Sequence, residues 1–322
     1  MTNSAGPVVL LAAGGTGGHL FPAEALAAAL KRRGITVDLA TDARGGRYGG
    51  KFPARQIHII PSETVRGRNP IALARTGMML GLGFAKALRV LGRVRPAAVV
   101  GFGGYPTLPP LVAASMRKIP TLIHEQNAVM GRANKLLASR VSAIATSFAG
   151  VLDAQPQLAA KVTRVGNPMR PAVVAAAASA FAAPEPAGLL RLLVFGGSQG
   201  AKIMSDIVPL AIERLDMALR ARLLLAQQAR EEDLARVRGA YAKLSVAAEV
   251  APFFADLPER IAAAHLVVSR SGAGTVAELA AIGRPSILVP LPGALDQDQF
   301  ANAGVLATAG GALRLPQAEF TP

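Results

Sequence analysis

Short apolar bursts alternate with longer stretches of helical composition along the whole chain. In the first half, Val8–Ala12, Thr36–Ala40, Ile57–Ile60, Ala97–Val100, Thr121–His124 and Ala143–Thr146 read as strands. In the second half, Arg191–Phe195, Arg222–Leu225, Ser245–Val250, Leu266–Ser269 and Ser286–Val289 read the same way. Apolar runs separated by helix-length segments indicate parallel sheets with helices on their faces. Between the two sets lies "VGNPMRPAVVAAAASAFAAPEPAGLL", residues 165–190, whose prolines and small residues mark a linker. The pattern therefore predicts an α/β protein of two doubly wound parallel-sheet domains, residues 1–165 and 166–322. Ligands of such sheets bind beyond the carboxyl ends of the strands, so two domains facing each other would hold a cleft between them.

Three of the predicted strands run into glycine turns that open helices. Gly14-Gly15-Thr16-Gly17-Gly18-His19 follows the first strand, and Gly196-Gly197-Ser198-Gln199-Gly200 follows the first strand of the second set. Ser269-Arg270-Ser271-Gly272-Ala273-Gly274-Thr275 ends the strand "HLVVS", and Gly283 with Pro285 closes the helix that comes next. Glycine lets the backbone approach a ligand, and a helix start offers N–H groups and partial positive charge to a phosphate. A tight turn explains any one of these segments equally well; three in matching places argue for phosphate cradles. None has the G-x-G-x-x-G or G-x-x-x-x-G-K-[ST] spacing, which argues against P-loop chemistry. A nicotinamide-dependent oxidoreductase stays open, because Asp38 or Asp42 could sit at the end of the second strand.

Composition removes several classes. The chain has no cysteine, so disulfides and thiolate metal sites are out, in keeping with a cytoplasmic protein. "MTNSAGP" has no basic leader region. The uncharged window from Pro96 to Met116 is broken by Pro106, Pro109, Pro110, Gly101, Gly103 and Gly104, which a regular spanning helix of about 20 residues does not tolerate. A soluble or peripheral protein is expected. Residues 1–165 carry 21 Lys and Arg against 6 Asp and Glu, while residues 166–322 carry 14 against 14. The whole excess of +15 thus sits in the first half, pointing to an anionic surface bound there, membrane or nucleic acid, with a solvated basic face as the plainer alternative. With 11 Phe, 3 Tyr and no Trp for base stacking, and no nucleic-acid motif, a nucleic-acid partner is not expected. The histidines His19, His58, His124 and His265 show no metal-ligand spacing. Asp296-Gln297-Asp298 spells D-x-D but reads as part of a sugar-contacting loop, so neither metal nor cofactor is expected.

The turns and their neighbours together resemble one family. "GGTGGHLFPA", "VVGFGGYPTLP", "IHEQNAVMGRANKLLA", "GNPMR", "FGGSQGA", "SRSGAGTVAELAAIGRPSILVP" and "DQDQFANA" stand in the order of the MurG family and span Gly14 to Ala303. These are the N-acetylglucosaminyltransferases that convert lipid I to lipid II in bacterial peptidoglycan synthesis. The resemblance implies a GT-B fold, two Rossmann-like domains about a deep cleft. It implies UDP-GlcNAc in the carboxyl-terminal domain and undecaprenyl-pyrophosphoryl-MurNAc-pentapeptide in the amino-terminal one. It further implies inverting transfer of GlcNAc to the 4-hydroxyl of MurNAc, by a peripheral enzyme at the cytoplasmic face of the cell membrane. The family pattern continues for another helix or so beyond "LPQAEFTP", and Val65-Arg66-Gly67-Arg68 departs from the family's glycine-basic loop.

Carried over position by position, the resemblance implies donor contacts from Thr16, Gly17, Gly18, Asn127 and Arg170. Ser198 and Gln199 would meet the phosphates, the Phe254 backbone the uracil edge, Glu278 the ribose hydroxyls and Gln299 the sugar. Gly104 and Tyr105 would shape the acceptor pocket. Residue chemistry points the same way: backbone amides at Ala273, Gly274 and Thr275 can stabilise a departing UDP without metal. The acceptor hydroxyl needs a base, and histidine titrates near neutral pH, which makes His19 the first candidate. Alternatively His19 only orients the turn or the acceptor pyrophosphate. Glu125 is the second candidate base or a partner, unless it caps "AVMGRANKLLA"; His124 is expected to be structural.

The segment 71–95 explains the basic half. Leu80, Phe84, Leu88 and Leu91 fall at helical spacing and suit the core, and Lys86, Arg89 and Arg93 form a second stripe. Met78, Met79 and Leu82 beside those cations would suit an anionic leaflet, and a solvated helix face is the alternative for this segment.

Overall fold

The structure, a computed structural model, describes residues 6–15, 17–48, 52–62, 70–293 and 296–322. The chain divides into two units, Met1–Arg170 and Pro171–Pro322. The first holds seven strands: β1 (Val8–Ala12), β2 (Thr36–Thr41), β3 (Gln56–Ile59), β4 (Ala98–Gly101), β5 (Thr121–Glu125), β6 (Ala143–Thr146) and β7 (Val162–Arg164). They lie in the order β3-β2-β1-β4-β5-β6-β7, every pairing parallel. The second holds β8 (Leu190–Phe195), β9 (Leu223–Gln228), β10 (Ala247–Ala251), β11 (Leu266–Ser269), β12 (Ser286–Leu288) and β13 (Ala312–Arg314). Their order is β10-β9-β8-β11-β12-β13, again wholly parallel. Each sheet reverses its winding once, between β1 and β4 and between β8 and β11, and loops diverge there to leave a crevice.

Eleven of these strands grow from the apolar bursts of the sequence. The other two, β7 and β13, are three-residue edge strands ending in Arg164 and Arg314. Each is half solvated, so neither has the apolar run that marks a strand buried from both faces. Alternation along β1 feeds two cores. Leu10 and Ala12 pack with Ala87 and Leu91 of the helix Pro70–Val94 and Leu111 of the helix Leu108–Met116. Leu11 and Ala13 pack on the other face with Leu20, Ala23 and Ala27 of the helix Gly17–Arg32. In the second unit, Val194 and Leu225 meet Met204, Val208 and Ile212 of the helix Lys202–Glu213.

The window Pro96–Met116 becomes β4, a short 3₁₀ turn at Tyr105–Thr107 and the helix Leu108–Met116. Among the described residues no helix is long and apolar enough to cross a membrane. Along the helix Pro70–Val94, Phe84, Leu88 and Leu91 face the core. Lys86, Arg89 and Arg93 are exposed. Met78 and Leu82 are exposed as well, whereas Met79 is half-buried. Residues 65–68 lie outside the described residues.

Candidate active site

In the first unit the site is built by the loops that leave neighbouring strands β1 and β4. Gly15 (φ +80°), Gly103 (φ +81°) and Gly104 (φ +78°) all adopt the left-handed region that other residues resist. The two loops touch: a Cβ on Gly14 would lie 2.6 Å from the Pro106 ring. The His19 ring stands in the first turn of its helix, directly against the second loop. A Cβ on Gly103 or on Gly104 would come within 3.3 Å of it. Glycine at these positions is therefore what lets His19 occupy the crevice. Tyr105 follows at once, half-buried against the core. Gly17 and Gly18 open the helix that carries His19; Thr16 lies outside the described residues.

Glu125 ends β5 and is 1% exposed. Its Oε1 accepts the Asn127 N–H at 2.9 Å and Asn127 Nδ2 at 3.2 Å. Its Oε2 accepts the Gly131 N–H at 2.9 Å and Asn134 Nδ2 at 2.8 Å. Four donors occupy the roughly four lone-pair directions of a carboxylate. In this arrangement the Glu125 carboxylate holds the loop from Asn127 to Gly131 and the start of the helix Arg132–Leu137, the capping role that the sequence left open beside that of a base. Asn134 also packs against the Gly103 position, 3.6 Å from a Cβ there, so it stands between Glu125 and the glycine loop beside His19. His124 is structural as expected. Burial lowers its pKa, the Gly166 carbonyl and Glu125 oppose that, and Nε2 meets the Gly166 carbonyl at 2.9 Å. Arg170 lies with its guanidinium 4.5 Å above the Phe21 ring.

The two acidic residues that kept a nicotinamide site open are both engaged. Asp38 is buried in mid-strand, accepts two Arg55 nitrogens at 2.9 Å and meets His58 Nε2 at 3.0 Å. Asp42 accepts the N–H of Gly45 at 2.7 Å and of Gly15 at 3.3 Å, and Arg44 Nε at 2.9 Å. Asp42 braces the first glycine turn instead of presenting a carboxylate to a ribose. This leaves the oxidoreductase reading unsupported.

In the second unit the corresponding turn leaves β8. A Cβ on Gly196 would sit 2.2 Å from the Ala201 nitrogen, and Gly197 has φ +88°. The turn exposes Ser198 and Gln199 at its tip. It is held from beneath by Gln228, the last residue of β9, a residue that the sequence pattern gave no reason to single out. Gln228 accepts the Gly196 N–H at 2.9 Å and donates to the carbonyls of Gly197 at 3.0 Å and Pro252 at 3.1 Å. Phe254, two residues beyond that proline, is buried beneath the Arg260 guanidinium at 4.2 Å. Arg260 is itself fixed by Glu249 at 2.7 and 2.9 Å and by Asp256 at 2.8 Å.

The helix Ala273–Ile282 starts at Gly272 with no side chain capping it and ends at Gly283 (φ +71°). Its first residues Ala273, Gly274 and Thr275 are partly exposed, as is Glu278 one turn on. Ser271 Oγ donates to the Gln299 carbonyl at 2.8 Å, and Gln299 Oε1 accepts the Leu291 N–H at 3.0 Å. Gln299 is thereby brought to the helix start, in the first turn of the helix Asp298–Thr308. In the D-x-D segment, Asp298 Oδ1 accepts the next backbone N–H at 2.9 Å. Among the described residues no three His, Asp or Glu side chains converge as metal ligands. A second unforeseen residue is Arg270, whose guanidinium is buried. It donates to the carbonyls of Val289 at 3.1 Å and Pro290 at 2.9 Å and to Gln317 at 2.6 Å, and burial lowers its pKa.

Two doubly wound parallel sheets in one chain match the GT-B class of nucleotide-sugar glycosyltransferases. One has a histidine in its glycine turn, and the other has a glycine turn and a helix start uncapped by any side chain. The glycosyltransferase family 28 N-terminal domain matches residues 9–146, and its C-terminal domain matches residues 191–322. The UDP-N-acetylglucosamine–N-acetylmuramyl-(pentapeptide) pyrophosphoryl-undecaprenol N-acetylglucosamine transferase of Rhodopseudomonas palustris (strain HaA2) is 69% identical over 316 residues, covering 98% of this chain and 86% of that protein. The transferase of the same name from Nitrobacter winogradskyi is 66% identical over 316 residues, with 98% and 86% covered. Among solved structures, Acinetobacter baumannii MurG superposes with a TM-score of 0.78 at 29% identity, over 98% of this chain and 87% of that one. The glycosyltransferase of kitacinnamycin, at 17% identity and a TM-score of 0.70 with 98% and 88% covered, shares the fold. The chain belongs to glycosyltransferase family 28 and, within it, to the MurG family.

Proposed function

We infer that this chain transfers GlcNAc from UDP-GlcNAc to the MurNAc 4-hydroxyl of undecaprenyl-pyrophosphoryl-MurNAc-pentapeptide, converting lipid I to lipid II. The observation that carries the reading is 69% identity over 98% of this chain to a transferase of that name. The acceptor oxygen attacks the anomeric carbon, the bond from that carbon to UDP breaks with inversion, and the hydroxyl proton passes to His19. His19 is suited to this because its ring lies at the carboxyl end of the first sheet, against Gly103 and Gly104. Charge growing on the departing diphosphate meets the amides of Ala273, Gly274 and Thr275, with Ser198 and Gln199 as further donors. Glu278 serves the ribose, Gln299 the sugar, the Phe254 backbone the uracil, and Asn127 and Arg170 further donor contacts. Thr16, Gly17 and Gly18 complete the donor contacts, and Gly104 and Tyr105 bound the acceptor.

The test is a calorimetric titration with UDP-GlcNAc in EDTA, with NAD as control, followed by transfer to lipid I by the wild type and His19→Ala. Binding of the UDP-sugar alone, and transfer that His19→Ala slows by about 100-fold or more, is the expected result. A folded chain that ignores UDP-GlcNAc would overturn the reading.

The same reading includes peripheral binding to an anionic leaflet through the first unit. Met78 is 60% and Leu82 54% exposed, beside Lys86, Arg89 and Arg93, which no carboxylate pairs among the described residues. Near an anionic surface each such cation contributes about 1 kcal/mol. Cosedimentation with phosphatidylglycerol vesicles, falling with added salt and with Met78→Ser/Leu82→Ser, is expected; equal binding to phosphatidylcholine would argue against it.

A further inference from the structure

UDP presents two unlike parts, a flat base and a charged diphosphate. Under the donor-site reading above, on which this inference rests, separate loops receive them. The phosphate turn Gly196–Gly200 leaves β8, and the Pro252–Phe254 loop leaves β10. In the sheet these strands are not neighbours: β9 lies between them. Strands stand about 4.8 Å apart, so the two loops emerge about 10 Å from each other. Backbone pairing stops at the strand ends, where Ala251 still pairs with Gln228 and the Ala229 N–H reaches the Ala251 carbonyl at 3.0 Å. Beyond that level, a side chain must set the spacing of the loops.

Gln228 is placed to do so. It is the last residue of the middle strand and is 5% exposed. Its orientation is fixed by chemistry, because the Gly196 N–H can only donate and the Gly197 and Pro252 carbonyls can only accept. Both amide hydrogens and the amide oxygen are thereby used within the protein, none of them on a ligand. The neighbouring residue shows what a purely structural glutamine looks like here. Gln227 is fully buried, points to the opposite face of the strand, donates to the Met204 carbonyl at 3.2 Å and accepts from the Tyr241 hydroxyl. Neither of these hydrogen bonds reaches either loop.

We propose that Gln228 is a positioning residue that couples recognition of the nucleoside to recognition of the diphosphate, by holding the Gly196–Gly200 turn at a fixed distance from the Pro252–Phe254 loop. When the two loops are held at the spacing of one ligand, the second contact costs no further ordering. When they drift independently, part of the second contact is spent on restoring the spacing.

The quantity that reads this coupling is the ratio of the uridine Kd to the UDP Kd, measured by calorimetry on the full chain. Gln228→Met keeps the length of the side chain and removes all three hydrogen bonds; Gln227→Met is the structural control. The ratio is expected to fall about tenfold or more in Gln228→Met and to stay within about twofold in Gln227→Met. An unchanged ratio in a folded Gln228→Met, or an equal fall in both variants, overturns the proposal. If Gln228→Met does not fold, Gln228→Glu, which keeps the acceptor for Gly196 and loses both donated bonds, is read the same way. If neither folds while Gln227→Met does, Gln228 serves stability and the proposal is overturned. A wild type that binds UDP no more tightly than uridine would refute the donor-site reading itself, a separate result.

Discussion

Glu125→Gln separates a scaffold carboxylate from a proton acceptor. The substitution preserves shape and one acceptor oxygen, which can still serve Asn127. The new amide then faces the Gly131 N–H and Asn134 Nδ2, two donors that hold Oε2 at 2.9 and 2.8 Å. The Asn134 amide can turn its oxygen inward, but the Gly131 N–H cannot. At least one hydrogen bond to a charged group is lost and one buried donor is left unmatched, a cost of about 3 kcal/mol. For a unit of the size of Met1–Arg170 that corresponds to a fall in its melting temperature of about 6–12 °C. Activity should move far less: kcat within about tenfold of wild type, since a general base contributes about 100-fold or more. The assay pairs differential scanning fluorimetry with the pH dependence of kcat for transfer to lipid I. Retention of the acidic limb in Glu125→Gln, and its loss in His19→Ala, is the expected pair. A Glu125→Gln enzyme of unchanged stability that has lost the acidic limb would refute the reasoning.

Further outcomes are expected elsewhere. For Asp38, burial alone would raise the pKa, but hydrogen bonds from Arg55 and His58 and their charges outweigh it, and the carboxyl is held below its ordinary 3.8. The folded state therefore binds this proton more weakly than the unfolded chain. The stability it contributes is present above about pH 4 and lost as pH falls below that. Chemical denaturation of Asp38→Asn should show a loss of about 2 kcal/mol near neutral pH and a shallower acid slope. Gly196→Ala places a methyl 2.2 Å from the Ala201 nitrogen, so the turn must open. UDP binding should weaken by more than about tenfold with far-ultraviolet circular dichroism unchanged. Arg270→Lys cannot reach the Val289 and Pro290 carbonyls and Gln317 at once. It should raise KM for UDP-GlcNAc while leaving the Kd of uridine within about twofold.

The sequence by itself determined the two-sheet plan and the place of its ligand loops. Strands buried on both faces must be continuous apolar runs, and a turn that brings backbone to a phosphate must be glycine. Both are local requirements, and both are written in single stretches such as "VVLLAAGGTGG". Candidates such as His19 and the start of the helix at Ala273 were legible for the same reason, since each is a residue type beside a turn. What only the tertiary structure decided is which side chains hold those turns in place. Nothing in "IHEQN" shows that four donors from residues 127–134 fill the Glu125 carboxylate. Asp38 and Asp42 look like ribose ligands until Arg55, His58 and the Gly15 and Gly45 amides claim them. Gln228 gives no sign in the chain order, and Arg270, though it stands inside the third glycine turn, gives none of the partners it holds. Their partners lie 24 to 32 and 19 to 47 residues away. A hydrogen bond across that separation depends on strand order and register, and these are set by how the whole sheet packs.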